Sequence, residues 1–128
     1  MNAKQRQEAI WENVFAQARI AGALAGRAAN PNPMLVQIDG GKIYEVPGGP
    51  CGFAWVTVRP GNSPVANWLK KRFTVEDGTA WKPAYGGGIQ LWVWDFDQSM
   101  VRKAAYARAY AETLKANGIA AVAGSRMD

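Results

Sequence analysis

The side chains that most often perform catalysis are scarce in this sequence. Its 128 residues include no histidine and a single cysteine, Cys51, which removes Ser-His and Cys-His pairs, histidine zinc sites and the usual general base. Without a histidine partner, Cys51 is interpreted as a small buried hydrophobic residue entering a strand rather than as a nucleophile. One cysteine also excludes an internal disulfide and favours a reducing compartment. We therefore expect a protein that is not an enzyme and that uses no metal or cofactor.

Two further groups of residues have types suited to ion binding, but each has a simpler structural explanation. Asp95 and Asp97 lie two residues apart at the end of a predicted strand, and Asp97 is expected to cap the next helix rather than to bind a metal. The glycines at 86–88 have the composition of an anion-binding nest. They lack the Lys-Ser/Thr of a P-loop, so we predict a tight hairpin turn there.

The more informative residues are aromatic, and they alternate along two predicted strands. Successive side chains of a strand point to opposite faces of the sheet, so Phe53 and Trp55 share one face. By the same rule Trp92 and Trp94 share one face of the strand predicted at 89–96. The other face of both strands is aliphatic, which suits the side of a sheet that helices cover. We therefore expect these rings on the face that the helices leave open, and we call it the aromatic face.

Two interpretations of the aromatic face remain open. Monomers seldom expose a large apolar patch, so either residues 3–46 or a second subunit is expected to cover it. Alternatively, the rings form a stacking platform for single-stranded nucleic acid or a nucleotide. In that case Lys70, Lys71 and Arg72, which end a predicted helix, would contact phosphate. The net charge of +5 is compatible with either kind of partner.

The remaining cations are scattered along the chain. Lys103 falls on a long predicted helix, and Arg126 falls beyond the last predicted strand. Because they form no single stripe, we interpret them mainly as solvated surface charges.

The order of the predicted elements indicates an α+β fold. A helix at 3–29 and a β-hairpin at 34–46 are followed by a Pro-Gly-rich break at 47–50. From residue 51 onward the order is strand, helix, strand, strand, helix, strand, which is that of the ferredoxin-like split βαβ arrangement. We predict a single domain with a ferredoxin-like βαββαβ body at 51–128 and an N-terminal helix and hairpin appendage at 1–46. The body elements are predicted at 53–58 (strand), 63–73 (helix), 79–85 and 89–96 (strands), 98–117 (helix) and 119–123 (strand).

The N-terminal helix carries a stripe of small residues. Ala18, Gly22 and Gly26 recur at four-residue spacing, which lets another element approach the helix closely. We favour packing within the fold over a dimer contact. The apolar stretch at 20–25 is far shorter than the ~20 residues needed to span a bilayer, so no membrane association is expected.

The first strand of the body resembles a known motif. Gly52-Phe53-Ala54-Trp55-Val56-Thr57-Val58 is similar to the RNP1 motif of RNA-recognition motif domains. The resemblance implies that Phe53 and Trp55 occupy the two positions that stack nucleotides. Cys51 stands where the motif has Lys or Arg, and the motif falls on the first strand of the body instead of the third.

A second resemblance covers the body as a whole. The segments 52–56, 85–87, 92–99 and 124–128 are together similar to small proteins encoded in bacteriophage genomes. This resemblance implies roles such as virion assembly or attachment, sequestering of a nucleotide signal, or binding of a host factor.

These patterns together predict a non-enzymatic, phage-type binding or assembly protein. It would act as an oligomer, or within a larger particle, through the aromatic face. The alternative is a small protein that binds or sequesters single-stranded nucleic acid or a nucleotide on the same face. The expected location is the cytoplasm of the host cell, or the virion for a structural component. The predicted binding residues are Phe53, Trp55, Trp92, Trp94, Lys70, Lys71 and Arg72.

Overall fold

Within the residues that the structure describes, the chain forms three helices and two antiparallel sheets. The structure is a computed structural model that describes residues 1–31, 34–37, 39–46, 48–72 and 80–128. The predicted α+β class is confirmed. The helices are α1 (Ala3–Ala28), α2 (Pro64–Arg72) and α3 (Met100–Ala116), and the strands are β1 (Met34–Gln37), β2 (Ile43–Val46), β3 (Gly52–Val58), β4 (Lys82–Pro83), β5 (Ile89–Trp92) and β6 (Ala121–Met127).

The larger sheet has four strands in the order β4-β5-β3-β6, and every neighbouring pair is antiparallel. β3 therefore lies between β5 and β6. Its register places Trp55 opposite Trp92 of β5 on one side and opposite Gly124 of β6 on the other. This register fixes which side chains meet on each face of the sheet.

The smaller sheet is the predicted hairpin, formed by β1 and β2. Its turn uses Asp39 and Gly40, both with positive φ, as a tight hairpin turn requires. None of its described residues belongs to the hydrophobic core. Leu35, Ile43 and Tyr44 are all exposed. The hairpin therefore stands apart from the core.

The core lies between the larger sheet and the helices. β3 contributes Ala54, Val56 and Val58, α3 contributes Ala107 and Leu114, and other buried residues complete it. No helix in the described part of the chain combines the length and the apolar character that crossing a membrane requires.

Helix α1 packs against α3 and not over the aromatic face. A Cβ added at Gly22 would lie 3.0 Å from Cδ2 of Tyr106, and one at Gly26 would overlap the ring of Phe96. The small residues of α1 thus let aromatic rings of the same chain approach the helix. This agrees with the prediction that the small-residue stripe packs within the fold. The expectation that the N-terminal helix covers the aromatic face is wrong, because this stripe directs α1 to the helical side.

Strand β5 ends earlier than predicted, at Trp92 instead of residue 96. The Val93 amide still donates to the Ala54 carbonyl at 2.9 Å, but the chain then leaves the extended conformation. Phe96 and Asp97 have φ values of 68° and 49°, which lie in the left-handed region. Trp94 therefore lies between the end of β5 and this left-handed turn.

The N-terminus of α3 is capped by Ser99 and not by Asp97. Ser99 Oγ accepts a hydrogen bond from the Arg102 amide at 3.3 Å and donates one to the Gly48 carbonyl at 2.9 Å. Asp97 cannot cap because it lies in the left-handed turn that precedes the helix. The predicted helix start is therefore displaced by two residues.

The remaining body elements differ from prediction mainly in length. β6 continues to Met127, beyond the predicted end at residue 123, and the Asp128 amide donates to the Cys51 carbonyl at 3.0 Å. β4 has two residues, and the glycines at 86–88 form the predicted turn between β4 and β5, all with positive φ. The predicted helix end at Phe73 and the start of the predicted strand at residue 79 lie outside the described residues.

Candidate functional site

Three aromatic side chains form one cluster on the aromatic face. Along β3 the core-facing residues are buried, whereas Phe53 and Trp55 are partly exposed. The ring centroids of Trp55 and Trp92 are 5.1 Å apart, and those of Phe53 and Trp92 are 5.8 Å apart. We call Phe53, Trp55 and Trp92 the ring cluster. None of the three packs against the hydrophobic core, so they form a separate apolar surface on the open side of the sheet.

The ring of Trp55 lies over the backbone of β6. A Cβ added at Gly124 would overlap the indole atoms Nε1, Cε2 and Cζ2 of Trp55. The indole therefore rests on a position of β6 that lacks a side chain. It is also tilted by 43° against the ring of Trp92, so the two indoles form one aromatic patch at the centre of the sheet.

Trp94 does not belong to the ring cluster. It lies beyond the end of β5, its side chain is 70% exposed, and it makes no ring contact with the described aromatic residues. The structure thus brings together three of the four predicted aromatic residues. The fourth lies two residues beyond Trp92, the last residue of β5.

Two cations lie beside Phe53. Arg126 is the cross-strand partner of Phe53, and its Cζ is 5.5 Å from the centroid of the Phe53 ring. Lys103 Nζ is 5.9 Å from the same centroid, within the range of a cation–π contact. Both residues were interpreted from sequence as solvated charges, which is wrong for Lys103, since it is only 5% exposed. No described residue accepts a hydrogen bond from its ammonium group.

Two more cations lie toward the other end of β3. Thr57 and Val122 are cross-strand partners, and a cavity of about 300 Å³ beside them is also lined by Arg59 and Lys115. The Arg59 guanidinium donates to the Gly87 carbonyl at 3.2 Å. Positive side chains therefore lie near both ends of β3. The ring cluster occupies the end at Phe53 and extends to the middle of the strand at Trp55.

The three predicted phosphate-binding cations lie elsewhere. Lys70, Lys71 and Arg72 form the last turn of α2, which buries Ala66 and Leu69 in the core on the helical side of the sheet. Lys70 Nζ donates to the Gly61 carbonyl at 2.9 Å, and Arg72 forms an ion pair with Glu12 of α1. The structure does not bring these cations to the ring cluster, because the last turn of α2 lies beside α1 and the carbonyl of Gly61.

Cys51 is exposed, contrary to the interpretation of this residue as a buried hydrophobe. It lines a cavity of about 500 Å³ between the loop at 48–49 and the N-terminus of α3. The described residues contain no group of three or more Cys, Asp or Glu side chains placed to hold a metal ion.

Sequence reasoning missed the cations and the glycine that complete the candidate site. Gly124 and Arg126 lie two residues apart in β6, so they share one face of the sheet, and they are the cross-strand partners of Trp55 and Phe53. A last strand predicted to continue to residue 127 would have placed both residues on the aromatic face. Comparison with protein-family models, with curated proteins and with solved structures finds no match for this chain. The candidate site is therefore argued from its own residues.

Proposed function

We propose that this protein is a non-enzymatic binding protein that holds single-stranded nucleic acid, or a nucleotide, on its aromatic face. The observation that carries the proposal is the combination of a partly exposed ring cluster with the cations Lys103 and Arg126 at its edge. Planar bases and anionic phosphates are the two parts of a nucleotide, and this surface offers a complementary group for each.

The ring cluster supports base stacking. Stacking of a base on an aromatic side chain contributes about 1–3 kcal/mol and needs one free ring face. Trp55 is partly exposed, with its indole lying over Gly124, so part of the ring is accessible to a base. In RNA-recognition motif domains, aromatic residues of a four-stranded sheet stack two or three bases. Here the rings come from the adjacent strands β3 and β5 of a four-stranded sheet.

The charge distribution supports contact with phosphate. Lys103 Nζ lies 5.9 Å from the centroid of the Phe53 ring, so a phosphate near that ring could accept a charge-assisted hydrogen bond from it. Arg126 lies beside the same ring, and Arg59 and Lys115 lie toward the far end of β3. These four residues replace Lys70, Lys71 and Arg72 as the proposed phosphate contacts.

The same proposal includes a ferredoxin-like arrangement for the body. Helix α2 connects β3 to β4, and β5 lies between these two strands in the sheet. In the same way, α3 connects β5 to β6, and β3 lies between them. This is the interleaving that a split βαβ arrangement implies. The body departs from the simple pattern because α1 adds a third helix and because β4 has only two residues.

Titration with a short oligothymidylate, followed by tryptophan fluorescence at low and high salt, tests the proposed ligand. We expect quenching, and an affinity that falls as salt rises because phosphate binding releases counterions. Trp55→Ala should weaken binding roughly tenfold or more. Arg126→Ala should also weaken it, whereas Lys71→Ala, which removes the same charge from α2, should have little effect. Absence of quenching at low salt would exclude this ligand class.

A second candidate function is supported by the unpacked hairpin. An isolated two-stranded hairpin is only marginally stable in water, yet Leu35 in β1 is 69% exposed and Tyr44 in β2 is also exposed. These side chains suit an arm that docks on another subunit, which would make the chain a phage-type assembly protein that works as an oligomer or within a larger particle. The resemblance to phage-encoded proteins makes the host cytoplasm, or the virion, the proposed location for either function.

Replacing the apolar side chains of the hairpin tests the second candidate. In the double variant Leu35→Ser and Ile43→Ser the arm loses its apolar contacts, so any oligomer that depends on them should dissociate at micromolar concentration. Lys42→Ser, in the same hairpin, is the matched control and should leave the mass in solution unchanged. Identical masses for wild type and double variant would contradict an arm-mediated assembly.

A further inference from the structure

The two edges of the larger sheet differ in how they are protected from other strands. On one edge, β4 has only two residues, of which Lys82 is charged and Pro83 has no amide hydrogen. Short strands, lysine and proline are devices that prevent edge-to-edge pairing. On the other edge, β6 has seven residues and contains no proline. No strand in the described part of the chain pairs with its outer side.

The hydrogen bonds of β6 identify the groups that point outward. The Asp128 amide donates to the Cys51 carbonyl, and the Arg59 amide donates to the Ala120 carbonyl. In an antiparallel pair, hydrogen-bonded and non-hydrogen-bonded positions alternate. The even-numbered residues of β6 therefore bond to β3. The amide and carbonyl groups that point away from β3 belong to Ala121, Ala123, Ser125 and Met127.

We propose that two copies of the chain pair antiparallel through the outer edges of β6, about a two-fold axis at Gly124. In this register Ala123 of one copy faces Ser125 of the other, and Ala121 faces Met127. All four outward residues of each copy then gain hydrogen-bond partners, and the two four-stranded sheets become one continuous sheet. The inference does not depend on the ligand proposed for the aromatic face.

The sequence of β6 fits a second copy of itself. Arg126 is the one charged residue in the strand, and the register places it opposite Val122 of the other copy. No like charges therefore face each other directly, which would destabilise the pair. Because the β4 edge is protected, pairing through β6 closes after two copies and does not propagate into a filament.

The proposed dimer joins the two aromatic faces. The Trp55 indole lies over Gly124, which is the residue on the two-fold axis. The rings of both copies would therefore meet at the centre of the joined sheet, with an Arg126 on either side of the axis. The dimer would present one continuous aromatic surface in place of two separate ones.

Sedimentation of the intact chain at micromolar concentration, together with amide hydrogen exchange, tests this inference. We expect a dimer in which the amides of Ala123 and Ser125 exchange at least on the order of tenfold more slowly than exposed amides do. Ser125→Pro removes an outward amide at an exposed position of the edge, so it should give a folded monomer. Ser125→Ala keeps that amide and should remain dimeric. Circular dichroism and thermal unfolding establish that both variants fold.

Three results would overturn the inference. If the wild-type chain is a monomer throughout the micromolar range, two copies do not pair through β6, and only a strand of some other protein could pair with this edge. A dimer whose Ala123 and Ser125 amides exchange rapidly would place the contact elsewhere, for example at the hairpin. A dimer that persists in folded Ser125→Pro would have the same meaning. Because exchange is measured on the unchanged chain, the test holds even if the proline variant fails to fold.

Discussion

At the scale of single residues, Gly26 marks a close approach of α1 to the rest of the fold. A Cβ there would overlap the ring of Phe96, and that ring also packs on Tyr106, with centroids 6.2 Å apart. Phe96 has a φ of 68°, a conformation that bulky residues seldom adopt. The packing of the Phe96 ring against Gly26 and Tyr106 offsets the cost of this backbone conformation. The strained backbone at Phe96 is therefore maintained by contacts with α1 and α3.

Gly26→Ala is therefore expected to destabilise the protein, although alanine is normally the better helix former by about 1 kcal/mol. Overpacking against Phe96 should cost about 1–3 kcal/mol and exceed that gain. Urea unfolding measures the change. Leu24→Ala, on the exposed side of the same helix, should change the free energy of unfolding by less than about 0.5 kcal/mol. A more stable Gly26→Ala variant would show that Phe96 can move away without cost.

At the scale of elements, the interface between α1 and α3 is built from aromatic rings. Tyr110 is buried, with its ring centroid 6.2 Å from that of Phe15 and 5.9 Å from that of Tyr106. Burial raises the pKa of Tyr110 far above its ordinary value, the proximity of Tyr106 raises it further, and Arg19 opposes the shift. Burial also raises the pKa of Tyr106, with a further contribution from Asp95 and an opposing one from Arg19.

These shifts predict a loss of stability in alkali. Both phenols hold their protons more tightly in the folded chain than in the unfolded chain, where the pKa is about 10. Their contribution is therefore complete below about pH 10, and it is lost as the pH rises from there toward the folded values. Tyr110→Phe should make the free energy of unfolding depend less steeply on pH between about 9 and 11. Tyr85→Phe, which changes an exposed side chain, should follow the wild type.

At the scale of the whole molecule, the sheet separates two kinds of apolar surface. The helices bury one face, and the other carries the ring cluster with cations beside it. This division was predictable from sequence at Phe53, Trp55 and Trp92, because the alternation of side chains along a strand is a local property. The α+β class was predictable for the same reason, since the helical and strand periodicities are also local.

The errors in prediction come from contacts between distant parts of the chain. Trp94 was misplaced because β5 ends at Trp92, although the apolar pattern of the sequence continues through residues 93 and 94. The position of Lys103 beside Phe53 could not be predicted, because it depends on how α3 lies on the sheet. Arg126 was missed because Gly124 interrupts the apolar pattern of the last strand, whereas pairing with β3 continues to Met127 and the indole of Trp55 lies over Gly124.

The position of the sheet also divides the six tryptophans of the chain into two groups. Trp11, Trp68 and Trp81 lie in or against the core, whereas Trp55, Trp92 and Trp94 lie outside it. Exposure to solvent does not follow this division, because Trp11 and Trp68 are partly exposed, as Trp55 and Trp92 are, while Trp81 is buried and Trp94 is exposed. A water-soluble quencher such as iodide would therefore reach tryptophans of both groups, whereas a molecule bound on the open side of the sheet would contact only the second group.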